Sequence, residues 1–219
     1  RFDPQAMFAE LLGIAREHIP NPELRGLVES ILEANREALL DCPAARRHHH
    51  AFAGGLLEHT LSVTRTCVFL AGKYAEHYPD MQPPLDAGLV VAGAVLHDVG
   101  KLRELRQEPA AISYTEQGEL VGHMLLGRDI VREAAATSQV DAETLLRLEH
   151  LVIAHQRLPE WGSPKPPMTP EALIVHYADD LDAKVHMVYA ALRDDRSPGP
   201  MTSNKNLLHQ RIFRGLEGS

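Results

Sequence analysis

Residues 85–98, LDAGLVVAGAVLHD, are apolar on nearly every side of the helix that their spacing predicts. In a soluble protein, a helix that is apolar all round is buried, so this one should lie at the centre of the fold. The stretch ends on His97 and Asp98. Burying a carboxylate is costly unless it is paired or coordinates a cation, so the position of Asp98 favours a cation site. A frayed, solvent-exposed helix end is the alternative explanation.

Helical spacing dominates the rest of the chain as well, and we find no convincing run of alternating strand residues. Besides the central stretch, it predicts helices over 4–18, 22–40, 56–78, 120–136, 141–156 and 170–193. Five prolines between Pro159 and Pro170 predict a surface loop. Thr169 and Pro170 then suit the N-cap and the first position of the last helix. The expected fold class is all-α, with one domain over residues 1–219.

Composition narrows the class of protein. The net charge of −8 argues against a basic nucleic-acid-binding surface over the whole domain. A phosphate substrate stays possible, because bound divalent cations supply local positive charge. No apolar run approaches the ~20 residues of a membrane span, and no signal peptide opens the chain, so we expect a cytoplasmic protein without a membrane partner. Because the first residue is Arg1, we expect the given chain to be a fragment or a processed product.

The histidines provide the next indication. Leu148, Leu151, Val152 and His155 fall at i, i+3, i+4 and i+7, so His155 should face the core. A single core-facing histidine is more often a hydrogen-bonded core residue than a ligand. Several histidines that converge with carboxylates favour a metal site instead.

The last helix leaves the choice of carboxylate open. Its main apolar stripe consists of Leu173, Ile174, Tyr177, Leu181 and Val185. Asp179 points away from this stripe, and Asp180 and Asp182 flank it more closely, so periodicity alone does not select Asp179. Small apolar residues share the Asp179 face, which indicates a second buried face with room for a metal site. These residues are Ala172, Val175 and Ala183.

The ordered set of His59, His97-Asp98 in LHDVGK and Asp179 in YADDLDAK resembles the H…HD…D pattern of HD-domain phosphohydrolases. Within that superfamily, the chain is similar to the YhaM-type 3′→5′ exoribonuclease group. The similar blocks are HHAFAGGLLEHTLSV (49–63), AGAVLHDVGKLREL (92–105), GHMLLG (122–127), LVIAHQ (151–156), GSPKPPMTPEALIVHYADDLDAK (162–184) and RIFRG (211–215). This group normally has an N-terminal OB-type domain, for which the sequence has no β-rich segment.

The resemblance implies an HD-type helical bundle with His59, His97, Asp98 and Asp179 as primary metal ligands. It implies a second set, His123 and His155, with Asp98 as the bridge. Gln156 stands where two-metal HD proteins commonly have a histidine, and an amide is the poorer ligand. One or two divalent ions are therefore expected. The resemblance favours manganese, with zinc, iron or nickel as alternatives.

The implied activity is a metal-dependent phosphodiesterase that degrades single-stranded RNA, or DNA, from the 3′ end and releases nucleoside monophosphates. Asp98 and Lys101 are the expected catalytic residues, because Lys101 is placed to meet a phosphate oxygen. His49, His50 and Arg103 are candidate substrate contacts. Two alternatives are a hydrolase of small nucleotides, which suits the negative net charge, and a non-catalytic metal-stabilised module that binds RNA or protein.

Several further side chains are expected to be ordinary. Trp161 and Lys165 could hold a base, although anchoring the proline-rich loop is the simpler explanation. The histidines that we expect to be ordinary surface or core residues are His18, His77, His176, His186 and His209.

Overall fold

The computed structural model describes residues 3–43, 54–108 and 111–216. Within these ranges, the chain forms ten α-helices, a short 3-10 helix (Pro159–Trp161) and one two-stranded antiparallel hairpin. The helices are α1 (Pro4–His18), α2 (Pro22–Ala34), α3 (Arg36–Asp41), α4 (Gly55–His77), α5 (Ala87–Leu96), α6 (Lys101–Glu104), α7 (Glu116–Leu120), α8 (His123–Ala135), α9 (Ala142–Ala154) and α10 (Pro170–Asp194). The strands are β1 (Leu105–Glu108) and β2 (Ala111–Tyr114). The predicted all-α class is confirmed.

The helix starts follow the capping residues of the sequence. Asp3 accepts a hydrogen bond from the backbone N–H of Gln5 at the start of α1, and Asn21 caps α2 in the same manner. Thr169 caps α10 by accepting from the N–H of Ala172, and Pro170 is its first residue, as predicted. The predicted helix 22–40 is instead broken at Asn35.

Helix α5 lies at the centre of the described structure. Every residue from Gly88 to Leu96 is buried, and the helix packs against α1, α2, α4, α9 and α10. At Gly93 the helix lies too close to α9 for a side chain, because a Cβ atom built there would lie 2.1 Å from a Cδ atom of Leu151. The prediction that residues 85–98 form the core is confirmed.

Two local features differ from the predictions. The helix predicted over 120–136 begins later, as α8 at His123, because the separate short helix α7 ends at Leu120 and Gly122 lies between the two at φ 81°. The hairpin was not predicted, because LRQE and AISY are too short to show a strand period. The predicted surface loop between α9 and α10 is present, although it contains the 3-10 helix.

The interpretation of the last helix also needs correction. The side chains of Leu173, Tyr177, Leu181 and Val185 are exposed, whereas Ala172, Val175 and Ala178 on the other face are buried. Small residues let α10 approach α4 and α5 closely, and that close face includes Asp179. Most of the large apolar stripe therefore faces outward, and Ile174 is its buried member. Among the described helices, none has the length and the apolar character that would let it cross a membrane.

Candidate metal centre and cleft

The candidate site forms where several helix ends meet. His97 and Asp98 directly follow α5, and His155 directly follows α9. His123 is the first residue of α8, while His59 and Asp179 lie within α4 and α10. The C-terminal end of a helix has a partial negative charge, so the ends of α5 and α9 favour a cation between them.

In each of the four histidines, Nδ1 faces an oxygen acceptor and Nε2 faces Asp98. The Nδ1 atoms of His97 and His155 lie 2.7 Å from the backbone oxygens of Ala94 and Val152. An oxygen acceptor requires a proton on Nδ1, which leaves the Nε2 lone pair of each neutral ring free to bind a metal.

The other two histidines have carboxylate acceptors. His59 Nδ1 lies 2.8 Å from Asp182 Oδ2, and His123 Nδ1 lies 3.1 Å from Glu104 Oε1. Each carboxylate therefore fixes a ring whose Nε2 faces Asp98. A histidine held by a carboxylate on one nitrogen is a common arrangement for metal ligands.

The two oxygens of Asp98 face different groups. Oδ2 lies 3.6 Å from His59 Nε2 and 3.4 Å from His97 Nε2. Oδ1 lies 3.5 Å from His123 Nε2 and 3.4 Å from His155 Nε2. Two groups of potential metal ligands thus share Asp98: one with His59 and His97, the other with His123 and His155.

Two buried atoms of this site have no hydrogen bond in the described structure: Asp98 Oδ1 and His155 Nε2. They lie 3.4 Å apart, but their contact lacks hydrogen-bond geometry. Buried polar atoms are nearly always satisfied, and leaving them unpaired is costly. A cation between these atoms would satisfy both, so the donor set fits a metal ion.

Asp179 lies beside the first group. Its Oδ1 is 3.1 Å from His59 Nε2 and 3.8 Å from His97 Nε2. Burial alone would lower the pKa of His59, but hydrogen bonds with Asp179 and Asp182 raise it to about 9. Burial alone would raise the pKa of Asp179. The hydrogen bond with His59 and the charge of His97 outweigh burial and hold that pKa well below its usual range.

Lys101 is buried beside Asp98. Its Nζ lies 2.6 Å from Asp98 Oδ2. Although burial opposes ionisation of both groups, their mutual attraction keeps the pKa of Asp98 well below its usual range and raises that of Lys101. Lys101 therefore carries its positive charge at the edge of the candidate metal site.

Sequence reasoning missed three contributors to this site. Asp182 holds His59, and Glu104 accepts from both the backbone N–H and the ring of His123. His176, which we expected to be ordinary, is buried and its Nδ1 lies 2.7 Å from the carbonyl oxygen of His155. Asp182 is three residues after Asp179 and Glu104 three after Lys101, so helical spacing could have indicated that both lie near the site, although not which histidine each one contacts.

A cleft of about 710 Å³ opens onto the site. Asp98, Lys101, His155 and Asp179 line its inner end, while Tyr114, Trp161 and His209 line it further out. The Trp161 side chain is half exposed, with Lys184 Nζ 5.5 Å from its ring centre. Trp161 and His209, which we expected to be ordinary residues, thus lie at the border of the cleft.

Of the three predicted substrate contacts, the structure describes only Arg103. The two terminal guanidinium nitrogens of Arg103 donate to the carboxylate of Glu133, and Arg103 does not line the cleft. His49 and His50 lie outside the described residues. Cys42 and Cys67 are both free thiols.

Comparison with known proteins places this geometry in a family. The HD domain family model matches residues 56–184, more than half of the chain. A second model, TraI_2, a helicase model, matches residues 5–106 and overlaps the first. No solved structure matches the chain.

Curated relatives agree with the HD match. The chain is 38% identical over 193 residues to the 3′-5′ exoribonuclease YhaM of Bacillus licheniformis, and equally so to those of Bacillus subtilis and Bacillus velezensis. The alignments cover 88% of this chain but only 58% of each relative. The family match and the divalent-metal chemistry of its ligand pattern agree with the site described above. This chain belongs to the HD-domain family.

Proposed function

We propose that this chain is a divalent-metal-dependent phosphodiesterase that removes nucleoside monophosphates from the 3′ end of single-stranded RNA. The single observation that supports this most strongly is the convergence of four Nε2 atoms on the two oxygens of one buried aspartate. The similarity to YhaM supplies the polarity and the class of substrate.

The proposed primary ligands are His59, His97, Asp98 and Asp179. The proposed second set is His123 and His155, with Asp98 shared between the two. A divalent ion bound here supplies Lewis acidity, lowers the pKa of a coordinated water and polarises the phosphoryl group. Manganese is the proposed metal, on the basis of the family resemblance.

The second set should bind its ion more weakly. Gln156 Nε2 lies 3.4 Å from His123 Nε2, so the amide occupies the space beside this histidine without adding an imidazole. An amide oxygen is a weaker donor than imidazole toward transition metals. We therefore expect one tightly bound and one loosely bound ion.

The protein's own groups orient the phosphate and stabilise its charge. The Lys101 ammonium lies at the inner end of the cleft and is held by Asp98, so its position is defined before substrate binds. A fixed positive charge at this point stabilises negative charge that develops on the phosphoryl oxygens. Trp161, half exposed further out in the cleft, offers a flat surface on which a base can stack.

We also propose that the helices outside the family match belong to the same domain. Helices α1 and α2 pack directly against the central α5, and their apolar residues join its core. The chain spans only 58% of the curated relatives' length. The proposal therefore assigns their activity to a part of that length.

A hydrolase of small nucleotides is the second candidate, and the net charge of −8 favours it. A panel assay with Mn²⁺ separates the two. It should compare single-stranded RNA, single-stranded DNA, bis(p-nitrophenyl) phosphate and free nucleotides. Release of nucleoside monophosphates from RNA labelled at its 5′ end, with progressive shortening, supports the exonuclease. Turnover of free nucleotides alone would replace it with the second candidate.

A further inference from the structure

A second cavity, of about 590 Å³, adjoins the cleft of the metal site. The two share Met187 and Leu207 in their walls. The second cavity contributes nothing to the ligand set described above. Its position raises the question of what occupies it when a substrate lies in the cleft.

One face of α10 forms the floor of both cavities. Asp179, Ala183 and Met187 line the cleft, and Met187, Ala190 and Asp194 line the second cavity. These residues follow each other at helical spacing, so the two cavities lie one after the other along the same face of the helix. From Asp179 to Asp194 the helix rises by about 22 Å at ~1.5 Å per residue. A stacked strand advances by ~3.4 Å along its axis per nucleotide, so this length suits several consecutive nucleotides.

The opposite wall is the chain segment that follows α10. Residues 196–216 contain four basic residues and no acidic residue, in a chain whose net charge is −8. Arg196 and Lys205 line the second cavity, and neither forms an ion pair with another described residue. The acidic groups there are already engaged, since Asp194 binds Arg193 and Asp195 binds Arg214.

This segment has a defined conformation even though it is neither helix nor sheet. Asp195 accepts hydrogen bonds from Ser197 and Ser203 and forms an ion pair with Arg214. The backbone N–H of Thr202 donates to the carbonyl oxygen of Ile212. Lys205 therefore projects from a fixed support rather than from a freely moving tail.

We infer that the second cavity binds the sugar-phosphate backbone of a single-stranded nucleic acid upstream of the nucleotide being cleaved, with Arg196 and Lys205 as phosphate contacts. The inference rests on the proposed phosphodiesterase activity and adds to it the path of the substrate. Phosphates are bound by exposed cationic side chains that face a groove and form no ion pair within the protein. The path also explains how an acidic protein can hold a polyanion, because basic side chains of the segment after α10 line the second cavity.

The test measures binding separately from hydrolysis. Fluorescence anisotropy of a labelled single-stranded decaribonucleotide, with EDTA present to prevent cleavage, gives Kd for wild type and for Lys205→Ala over a range of salt concentrations. We expect roughly fivefold weaker binding, as for the loss of one exposed charge pair. The slope of log K against log salt should decrease by about 0.7, the value for one phosphate contact on a single strand.

Lys73→Ala is the matched control. Lys73 is exposed, does not line either cavity and lies about 21 Å along α4 from His59 at ~1.5 Å per residue. The Lys73→Ala variant removes the same charge as Lys205→Ala does, so an effect of net charge alone would weaken RNA binding equally in both variants. The Lys205→Arg variant should bind as wild type does.

Kinetics with Mn²⁺ provide the second measurement. Lys205→Ala should leave kcat/KM for bis(p-nitrophenyl) phosphate unchanged and lower kcat/KM for the decaribonucleotide. Equal loss of RNA binding in Lys73→Ala and Lys205→Ala, or an unchanged Kd in Lys205→Ala, overturns the inferred path. So does an absence of RNA binding by the wild-type chain. If the wild-type chain hydrolyses no phosphodiester, the proposed activity fails, and the anisotropy data still decide the binding path.

Discussion

Replacing Asp182 should weaken metal binding although Asp182 is not among the proposed ligands. The carboxylate accepts from His59 Nδ1 at 2.8 Å, and the His59 side chain is only 1% exposed. This contact fixes the ring so that Nε2 faces Asp98 and Asp179. Loss of such a supporting contact typically costs about 10–100-fold in metal affinity.

The expected size depends on the substitution. Asparagine keeps an oxygen that can accept from Nδ1 but loses the negative charge, and a charge-assisted hydrogen bond is about twice as strong as a neutral one. Asp182→Asn should therefore cost about tenfold, or ~1.4 kcal/mol. Asp182→Ala removes the acceptor altogether and should cost about a hundredfold, or ~2.7 kcal/mol. Ser62, which also donates to this carboxylate, would lose its partner too.

The assay is a titration with Mn²⁺ against a competing chromophoric chelator, with circular dichroism to verify that the helices are intact. Asp180→Asn is the matched control, because Asp180 pairs with Lys184 at the surface one residue after Asp179. Its metal affinity should be that of wild type. Equal losses in the Asp180 and Asp182 variants, or wild-type affinity in Asp182→Ala, would refute the reasoning.

Three further results are expected. Asp98→Ala should abolish turnover and metal binding while the helical circular dichroism signal remains; near-normal activity in the folded variant would contradict the site. Gly100→Ala should lower the free energy of unfolding by about 1–3 kcal/mol, measured in urea, because a Cβ atom would lie 1.8 Å from the backbone oxygen of His123. Hydrogen bonds from Ser197 lower the pKa of Asp195, so its stabilisation of the C-terminal segment is present above the usual Asp range and lost as pH falls through the lowered value. In NMR spectra the Ser197 amide resonance should shift in Asp195→Asn at neutral pH, and an unchanged resonance would contradict this role.

The arrangement of the helices was largely accessible from the sequence. Thr169 with Pro170 predicted the start of α10, and the apolar stretch 85–98 predicted the central helix, because both depend on local chemistry. The face by which α10 packs was not accessible. Its larger apolar residues suggested one face, whereas close packing against α4 and α5 uses Ala172, Val175 and Ala178. Which face is buried depends on the shape of the neighbouring helices, and periodicity does not contain that information.

The candidate site was accessible only in part. The core-facing position of His155 follows from the spacing of its own helix, and the side chain is fully buried. The choice among Asp179, Asp180 and Asp182 came from the family resemblance. The supporting roles of Asp182 and Glu104 required three-dimensional contacts, since their partners lie on other segments, 123 and 19 residues away.

The way α5 and α9 end explains how the fold orients two of the proposed ligands. The last carbonyl groups of any helix have no partner within that helix and need one from elsewhere. In α5 the ring of His97 donates to Ala94, and in α9 the ring of His155 donates to Val152, each three residues back. The same hydrogen bond thus caps the helix and fixes the tautomer that exposes Nε2 to Asp98. Substitution of another side chain cannot remove these backbone acceptors. The orientation of His59 and His123, by contrast, depends on Asp182 and Glu104, so mutations that tune the metal site without altering its ligands should be concentrated at these two carboxylates.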